Sequence, residues 1–137
     1  MALINAENLI VGRLASHVAK LLLSGEEVTI VNAEKSVISG SKTSITADYH
    51  QKRRIGGARK GPYYPRMPDR ILKRTVRGML PYKKPSGKAA LKRLRVYIGV
   101  PKELEKEKFI TIKEASSEGK VKYVKLGEVS KQLGAKF

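Results

Sequence analysis

Cysteine and tryptophan are absent from this chain of 137 residues. Without cysteine the chain can form no disulfide, no thiolate nucleophile and no cysteine-containing zinc site, a composition that fits a reducing compartment. The only histidines, His17 and His50, stand far apart in the chain. They do not form the i,i+4 pair that would place two ligands on one helix face, and the scattered serines indicate no Ser-His-Asp arrangement. The sequence therefore predicts no metal site and no catalytic residue.

Phosphate-binding motifs and long apolar runs are also missing. Neither G-x-G-x-x-G nor G-x-x-x-x-G-K-[ST] occurs, and Gly12 stands alone near the start of the first predicted helix. A nucleotide-binding α/β enzyme remains an alternative only because a helix N-terminus attracts phosphate. Arg13, His17 and Lys20 interrupt the apolar residues near the N-terminus, which argues against a signal peptide or a transmembrane helix there. We expect no cofactor, no small-molecule substrate and no membrane partner.

Positive charge is what the sequence has in excess, and most of it lies in one block. The chain carries 29 Lys plus Arg against 12 Asp plus Glu, a formal charge of +17. From Tyr49 to Arg95 there are 16 Lys plus Arg and a single acid, Asp69, and nine of the ten arginines fall in this block. A merely soluble surface would intersperse both signs. Because arginine binds phosphate bidentately and stacks on bases, region 49–95 predicts a polyanionic partner, with nucleic acid the leading candidate.

The most basic stretch of the block is KRRIGGARKGPYYPR, residues 52–66. Its glycines, at positions 56, 57 and 61, permit close backbone approach and positive φ, and its prolines hold the chain extended. Tyr63 and Tyr64 can stack on bases or riboses. We expect such a segment to gain order against RNA, and the alternative is a flexible linker. The segment PYKKPSGK, residues 81–88, repeats this composition.

An amphipathic helix is predicted for RMPDRILKRTVRGMLP, from Pro68 to Met79, because proline and aspartate suit a first helical turn and glycine suits the end. At about 100° per residue, one arc of this helix is apolar and the opposite arc is cationic. The apolar arc holds Ile71, Leu72, Thr75, Val76 and Met79. The cationic arc holds Arg70, Lys73, Arg74 and Arg77. We expect the first arc to face the core and the second to face RNA.

Strand and helix patterns alternate along the rest of the chain. Strands are predicted at LINA, VTIVNA, SVIS and RVYI, the last from Arg95 to Ile98. Helices are predicted at GRLASHVAKLLLSG and after Ser41, which can cap a helix running through Ile45 and Tyr49. The C-terminal segment LGEVSKQLG predicts a short terminal helix that packs back onto the domain. Alternating strands and helices predict a single α/β domain with a parallel sheet.

Several ordered blocks of the sequence resemble the large-subunit ribosomal protein L13 family in its archaeal and eukaryotic form. They are VGRLASHVAKLLLSGEEVTIVNAEKSVISGSK, the GP at 61–62, RMPDRILKRTVRGMLP and RLRVYIGVP. The resemblance implies an α/β domain over residues 1–101, in which a four-stranded parallel sheet is flanked by helices and region 49–95 forms a basic RNA-binding insertion. Residues 102–137 are expected to form a C-terminal extension. Where many relatives carry an aspartate before the first helix, this chain has Asn5, which puts any role of that acid in doubt.

The resemblance also implies a function: a non-enzymatic structural constituent of the cytoplasmic large ribosomal subunit, active early in assembly. Its expected partners are large-subunit rRNA and neighbouring ribosomal proteins. The predicted RNA-binding residues are Lys52, Arg53, Arg54, Arg59, Lys60, Tyr63, Tyr64, Arg66, Arg70, Lys73, Arg74, Arg77, Lys83, Lys84, Lys88, Lys92 and Arg93. The alternative is another basic protein that binds DNA or a membrane surface. No helix-turn-helix, zinc or zipper pattern supports DNA binding, and the cationic helix lacks an aromatic membrane anchor.

Overall fold

The computed structural model describes residues 2–119 and 122–137. Its strands are β1 (Ala2–Asn5), β2 (Val28–Val31), β3 (Val37–Ser39), β4 (Leu94–Val96) and β5 (Tyr123–Lys125). Its helices are α1 (Val11–Leu23), α2 (Lys42–Arg54), α3 (Pro68–Gly78), α4 (Pro85–Lys92) and α5 (Leu126–Gln132). Single 3₁₀ turns lie at Ala33–Lys35, Lys102–Leu104 and Lys113–Ala115. Within these residues, no helix combines the length and apolar character needed to cross a membrane.

A parallel sheet of three strands, in the order β1-β2-β4, forms the centre of the domain. Ile4 lies opposite Ile30, and Ile30 lies opposite Val96. Every residue of β2 is buried, as expected for a β-branched strand covered on both faces. The predicted α/β class and parallel sheet are confirmed. The sheet has three strands where the family resemblance implied four, although Ile110 forms a further parallel bridge with Ile4 at the outer edge of β1.

The predicted strand SVIS is present as β3 but belongs to a second sheet, where it pairs antiparallel with β5. This pairing brings the C-terminal extension into the core, because Val124 and Leu126 are both buried there. The terminal helix α5 is confirmed and buries Val129. It packs against the turn Ala33–Lys35 and against α2. The division of the chain at residue 101 remains a prediction.

Helix α1 begins and ends as its sequence predicts, whereas α2 begins as predicted and extends further than expected. Helix α1 buries Leu14, Val18 and Leu22, and the chain leaves it at Gly25 with φ of +99°. Helix α2 is capped by Ser41, whose Oγ accepts a hydrogen bond from the Ser44 N–H at 3.3 Å. It continues to Arg54, so the first three cations of the segment 52–66 belong to a helix rather than to an extended loop.

Helix α3 buries Ile71, Leu72 and Val76 against α1 and β4, as the apolar arc predicts. Met79 was expected on that buried arc, and the structure contradicts this because 43 % of the residue is exposed. The helix ends at Gly78, so Met79 is the C-terminal cap with φ of −96° and ψ of −3°. The chain then turns and Leu80 occupies the inward position.

Helix α4, the last helix of the basic block, is not predicted by the composition of its segment. Its first residue is Pro85, a position where the missing proline N–H costs no helical hydrogen bond. The segment 81–88 therefore does not repeat the irregular structure of the loop that follows α2. After α4, strand β4 begins one residue earlier than predicted, and the Tyr97 N–H still donates to the carbonyl of Ile30 at 2.9 Å.

Candidate nucleic-acid interface

The described structure contains a cleft of about 990 Å³, here called the main cleft. It forms where the end of α2, the following loop, the start of α3 and the C-terminal segment meet. Its lining residues are Arg53, Tyr63, Tyr64, Pro65, Arg66, Met67, Asp69, Arg70, Gly134 and Lys136. Five of them, Arg53, Tyr63, Tyr64, Arg66 and Arg70, are predicted RNA-binding residues. The fold thus brings together cations and aromatic rings from separate segments.

A hydrogen-bonded hairpin precedes Tyr63, which lines the main cleft. Gly57 and Gly61 exchange both backbone hydrogen bonds, at 3.2 and 3.0 Å. Gly56 has φ of +93°, and a Cβ atom there would lie 2.1 Å from the carbonyl oxygen of Gly61. The Tyr63 hydroxyl donates to the carbonyl of Ala58 at 2.7 Å, which fixes its ring although 65 % of the residue is exposed. The hairpin therefore holds an exposed aromatic ring in place before any partner binds.

Tyr64, the neighbour of Tyr63, anchors the loop to the domain. Its ring packs edge-on against Tyr49 at a centroid distance of 5.9 Å, and the Arg74 guanidinium lies 4.8 Å from its centre. The Lys52 ammonium lies 4.6 Å from the Tyr49 ring and 3.4 Å from the Asp48 carboxylate. Burial, followed by the nearby Tyr64 and Asp48, raises the pKa of Tyr49 to about 12. This cluster leaves Tyr63, rather than Tyr64, as the available stacking surface.

Three smaller clefts connect to the main cleft through shared residues. A loop cleft of about 190 Å³ shares Arg53, Tyr63 and Tyr64 with it. A cleft between α3 and β4, of about 320 Å³, shares Asp69 and Arg70 and also contains Lys73 and Arg95. A fourth cleft, of about 160 Å³, shares Arg95 with the cleft between α3 and β4 and is also lined by Lys92, Arg93 and Glu27. We call this continuous surface the basic strip. It crosses the domain from the hairpin to the end of α4.

Several predicted RNA-binding residues lie outside these connected clefts or also bond within the domain. Six exposed cations line none of the four clefts, namely Arg54, Arg59, Lys60, Lys83, Lys84 and Lys88. Lys73 donates to the Leu94 carbonyl at 3.3 Å, and Arg93 donates to the Leu22 carbonyl at 2.6 Å. Arg77 stacks on Tyr82 at 4.4 Å. On the cationic arc of α3, Arg70 is exposed, whereas Lys73, Arg74 and Arg77 are half-buried.

Four charged residues of the basic strip were not among those predicted from the sequence, namely Glu27, Asp69, Arg95 and Lys136. Arg95 falls inside the basic block, so its charge was a signal that could have identified it. Lys136 comes from the C-terminal segment, where an isolated lysine gives no signal before the fold places it beside Arg66 and Arg70. Asp69 is the acid of the block and lines two of the clefts. In the described residues, no group of three or more acidic or histidine side chains could hold a metal ion.

Comparison with known proteins gives one consistent result. The model of the family described as Ribosomal protein L13 matches residues 1–103. The chain is 56 % identical over 139 residues to the large ribosomal subunit protein uL13 of Methanococcoides burtonii, with all of both chains covered. It is 55 % identical to the protein of the same name from Methanosarcina barkeri and 50 % identical to that from Methanocaldococcus jannaschii, again over both whole chains. These alignments include the C-terminal extension.

Proposed function

The chain belongs to the ribosomal protein L13 family, and on that premise we propose that it is a structural constituent of the cytoplasmic large ribosomal subunit. In this proposal it binds folded large-subunit rRNA and stabilises it, and it joins the subunit early in assembly. Neighbouring ribosomal proteins are its further partners. The family is structural and non-enzymatic, in agreement with the expectation that the chain is not an enzyme.

The observation that carries the proposal is the continuity of the basic strip. Cations from the end of α2, the loop, the start of α3, β4 and the C-terminal segment line connected clefts. Each phosphate that a Lys or Arg neutralises releases condensed counterions, so a row of cations gains affinity for a continuous polyanion. A single phosphate ligand would occupy one cleft and leave the others empty. The strip therefore favours an extended nucleic-acid backbone over a small anion.

Folded RNA fits the strip better than duplex DNA does. The major groove of A-form RNA is too narrow for side chains to read, so proteins recognise folded RNA by its shape, its backbone and its unpaired bases. The pre-formed hairpin offers the exposed Tyr63 ring for stacking, and the arginines of the strip suit phosphate contacts. The strip thus supports recognition of RNA shape.

The proposal is tested by exchanging the cations of the main cleft. The strip variant changes Arg53, Arg66 and Arg70 to glutamine. The control variant changes Lys106, Lys108 and Lys113 to glutamine, and these lysines are exposed and lie outside the strip. Both variants lose three positive charges. Each protein is mixed with large-subunit rRNA or with duplex DNA at physiological salt, and its sedimentation with large subunits is followed through a moderate salt wash.

We expect the control to bind rRNA and remain on the subunit, whereas the strip variant binds weakly and is washed off. An equal loss in both variants would mean that overall charge, rather than the strip, drives binding. Equal affinity of the unmodified chain for rRNA and duplex DNA would contradict recognition of folded rRNA.

A further inference from the structure

The carboxylate of Asp69 is not expected in a surface that binds only phosphate groups. It is the single acid between Tyr49 and Arg95, and it lines both the main cleft and the cleft between α3 and β4. Its Oδ1 atom is buried and has no hydrogen-bond partner among the described residues. An ionised carboxylate only accepts hydrogen bonds and repels phosphate. The residue therefore fits a ligand that brings N–H groups into the cleft.

Unpaired nucleobases are the part of RNA that supplies such groups. Proteins stack unpaired bases on aromatic rings and bond their Watson–Crick edges. Guanine presents two adjacent N–H donors on this edge, which match the two oxygens of one carboxylate. Adenine and cytosine present one amino group beside an acceptor nitrogen, and uracil presents one N–H between two carbonyl groups. A carboxylate thus meets repelling acceptors on every base except guanine.

The main cleft has the other features that a bound nucleotide needs. Its volume of about 990 Å³ lies at the upper end of the roughly 300–1,000 Å³ typical of small-molecule sites. The fixed Tyr63 ring supplies a stacking surface, and Arg66, Arg70 and Lys136 supply charges for the flanking phosphates. Oδ1 is buried in the free protein, and a turn about the Cβ–Cγ bond only exchanges the two oxygens. Both oxygens meet a base when the side chain turns about its Cα–Cβ bond toward the cleft.

We propose that the main cleft binds one unpaired nucleotide of the RNA and that the Asp69 carboxylate selects guanine there. This inference rests on the proposed function, because it gives base specificity to the same RNA-binding surface. Asp69 also lies in the first turn of α3, where an acid stabilises the helix dipole. That role concerns folding alone and predicts no preference among bases, so measuring base preference separates the two roles.

The test uses four labelled RNA hairpins that differ only in one bulged nucleotide, G, A, C or U, together with a fully paired hairpin. Affinities are measured by fluorescence anisotropy at physiological salt for the unmodified chain, Asp69→Asn and Glu105→Gln. Glu105→Gln is the matched control, because it also replaces a carboxylate by an amide, at an exposed residue that lines none of the four clefts. Thermal melts establish that each variant is folded.

We expect the unmodified chain to bind the G-bulged hairpin about tenfold or more tightly than the other bulges, as good bidentate base contacts do. Asp69→Asn should lose this preference while binding the A, C and U hairpins at least as well, and Glu105→Gln should keep it. Equal affinities for the four bulges would overturn the inference even without a variant. A guanine preference that survives in Asp69→Asn would also overturn it, and so would an equal loss of affinity for all the hairpins in Asp69→Asn. Failure to bind any hairpin would instead overturn the proposed function.

Discussion

Replacing Gly56 by alanine should weaken RNA binding without unfolding the domain. Gly56 has φ of +93°, a region that L-residues avoid. The new Cβ atom would lie 2.1 Å from the Gly61 carbonyl oxygen and 2.5 Å from the Gly61 carbonyl carbon. Both are backbone atoms of the facing hairpin strand, so no flexible side chain can move to relieve the clash. The hairpin must open or shift, and Tyr63 loses its fixed position.

The size of the effect follows from the strain. A residue forced into a disfavoured backbone region costs about 1–3 kcal/mol. If RNA binds only the closed hairpin, this cost reduces affinity by about 5-fold to 150-fold, since 1.4 kcal/mol corresponds to a factor of ten. Residues 55–60 are all exposed, so the melting temperature should change little.

Gly57→Ala is the matched control for this experiment. A Cβ atom at Gly57 would have no neighbour within 4 Å, and its φ is not in the left-handed region. We expect this variant to bind rRNA within about twofold of the unmodified chain. Affinities are measured by filter binding or anisotropy at one fixed salt concentration, with circular dichroism melts alongside. Unchanged affinity in Gly56→Ala would refute the claim that the closed hairpin is the form that binds RNA.

Three further predictions concern stability. Leu72→Ala should cost about 2–5 kcal/mol of unfolding free energy because Leu72 is fully buried, whereas Met79→Ala should cost much less; equal costs in urea melts would contradict the burial pattern of α3. Burial raises the pKa of Tyr49 from 10.0 to about 12, so the stability that neutral Tyr49 gives the folded state is fully present below pH 10 and falls by about 2–3 kcal/mol as pH rises through 12. In urea melts at increasing pH, Tyr49→Phe should lose less stability over that range. Gly87→Ala should lower the melting temperature, because the Cβ atom would meet the Pro81 carbonyl oxygen at 2.0 Å, whereas Gly12→Ala, with open space around it, should not.

Elements with strong local signals were predictable from the sequence. Helix α1 has an apolar stripe and a glycine stop, and β2 is a continuous β-branched run. Helix α3 has a proline start and two opposed arcs. In each case the residues that decide the structure are neighbours in the sequence, so periodicity and capping are enough to predict the element.

Elements decided by distant partners were not predictable in the same way. The sequence indicates a strand at β3 but not its partner β5, which lies more than 80 residues away in the chain. Helix α4 has a weak local signal, because lysines and a glycine surround its proline. Gly87 is needed there for a close approach to Pro81, and sequence composition does not report such contacts.

The candidate site was also predictable from the sequence only in part. Composition identifies the basic block, and its arginine bias predicts nucleic-acid binding. It cannot show that Lys136 joins Arg53 and Arg66 in one cleft, since that depends on how α5 packs. Nor can it show that Arg93 is held by the Leu22 carbonyl at the end of α1. Charge is a local property of the sequence, whereas convergence of charges is a property of the fold.

The salt dependence of rRNA binding tests the central claim, that the basic strip follows the RNA backbone. For six or more phosphate contacts, the logarithm of the association constant should fall with the logarithm of salt concentration with a slope of about −4 to −5 or steeper. In the variant with Arg53, Arg66 and Arg70 changed to glutamine, the slope should flatten by about 0.7–0.9 for each phosphate that the protein no longer neutralises. A shallow slope, or the same slope in both proteins, would contradict the claim.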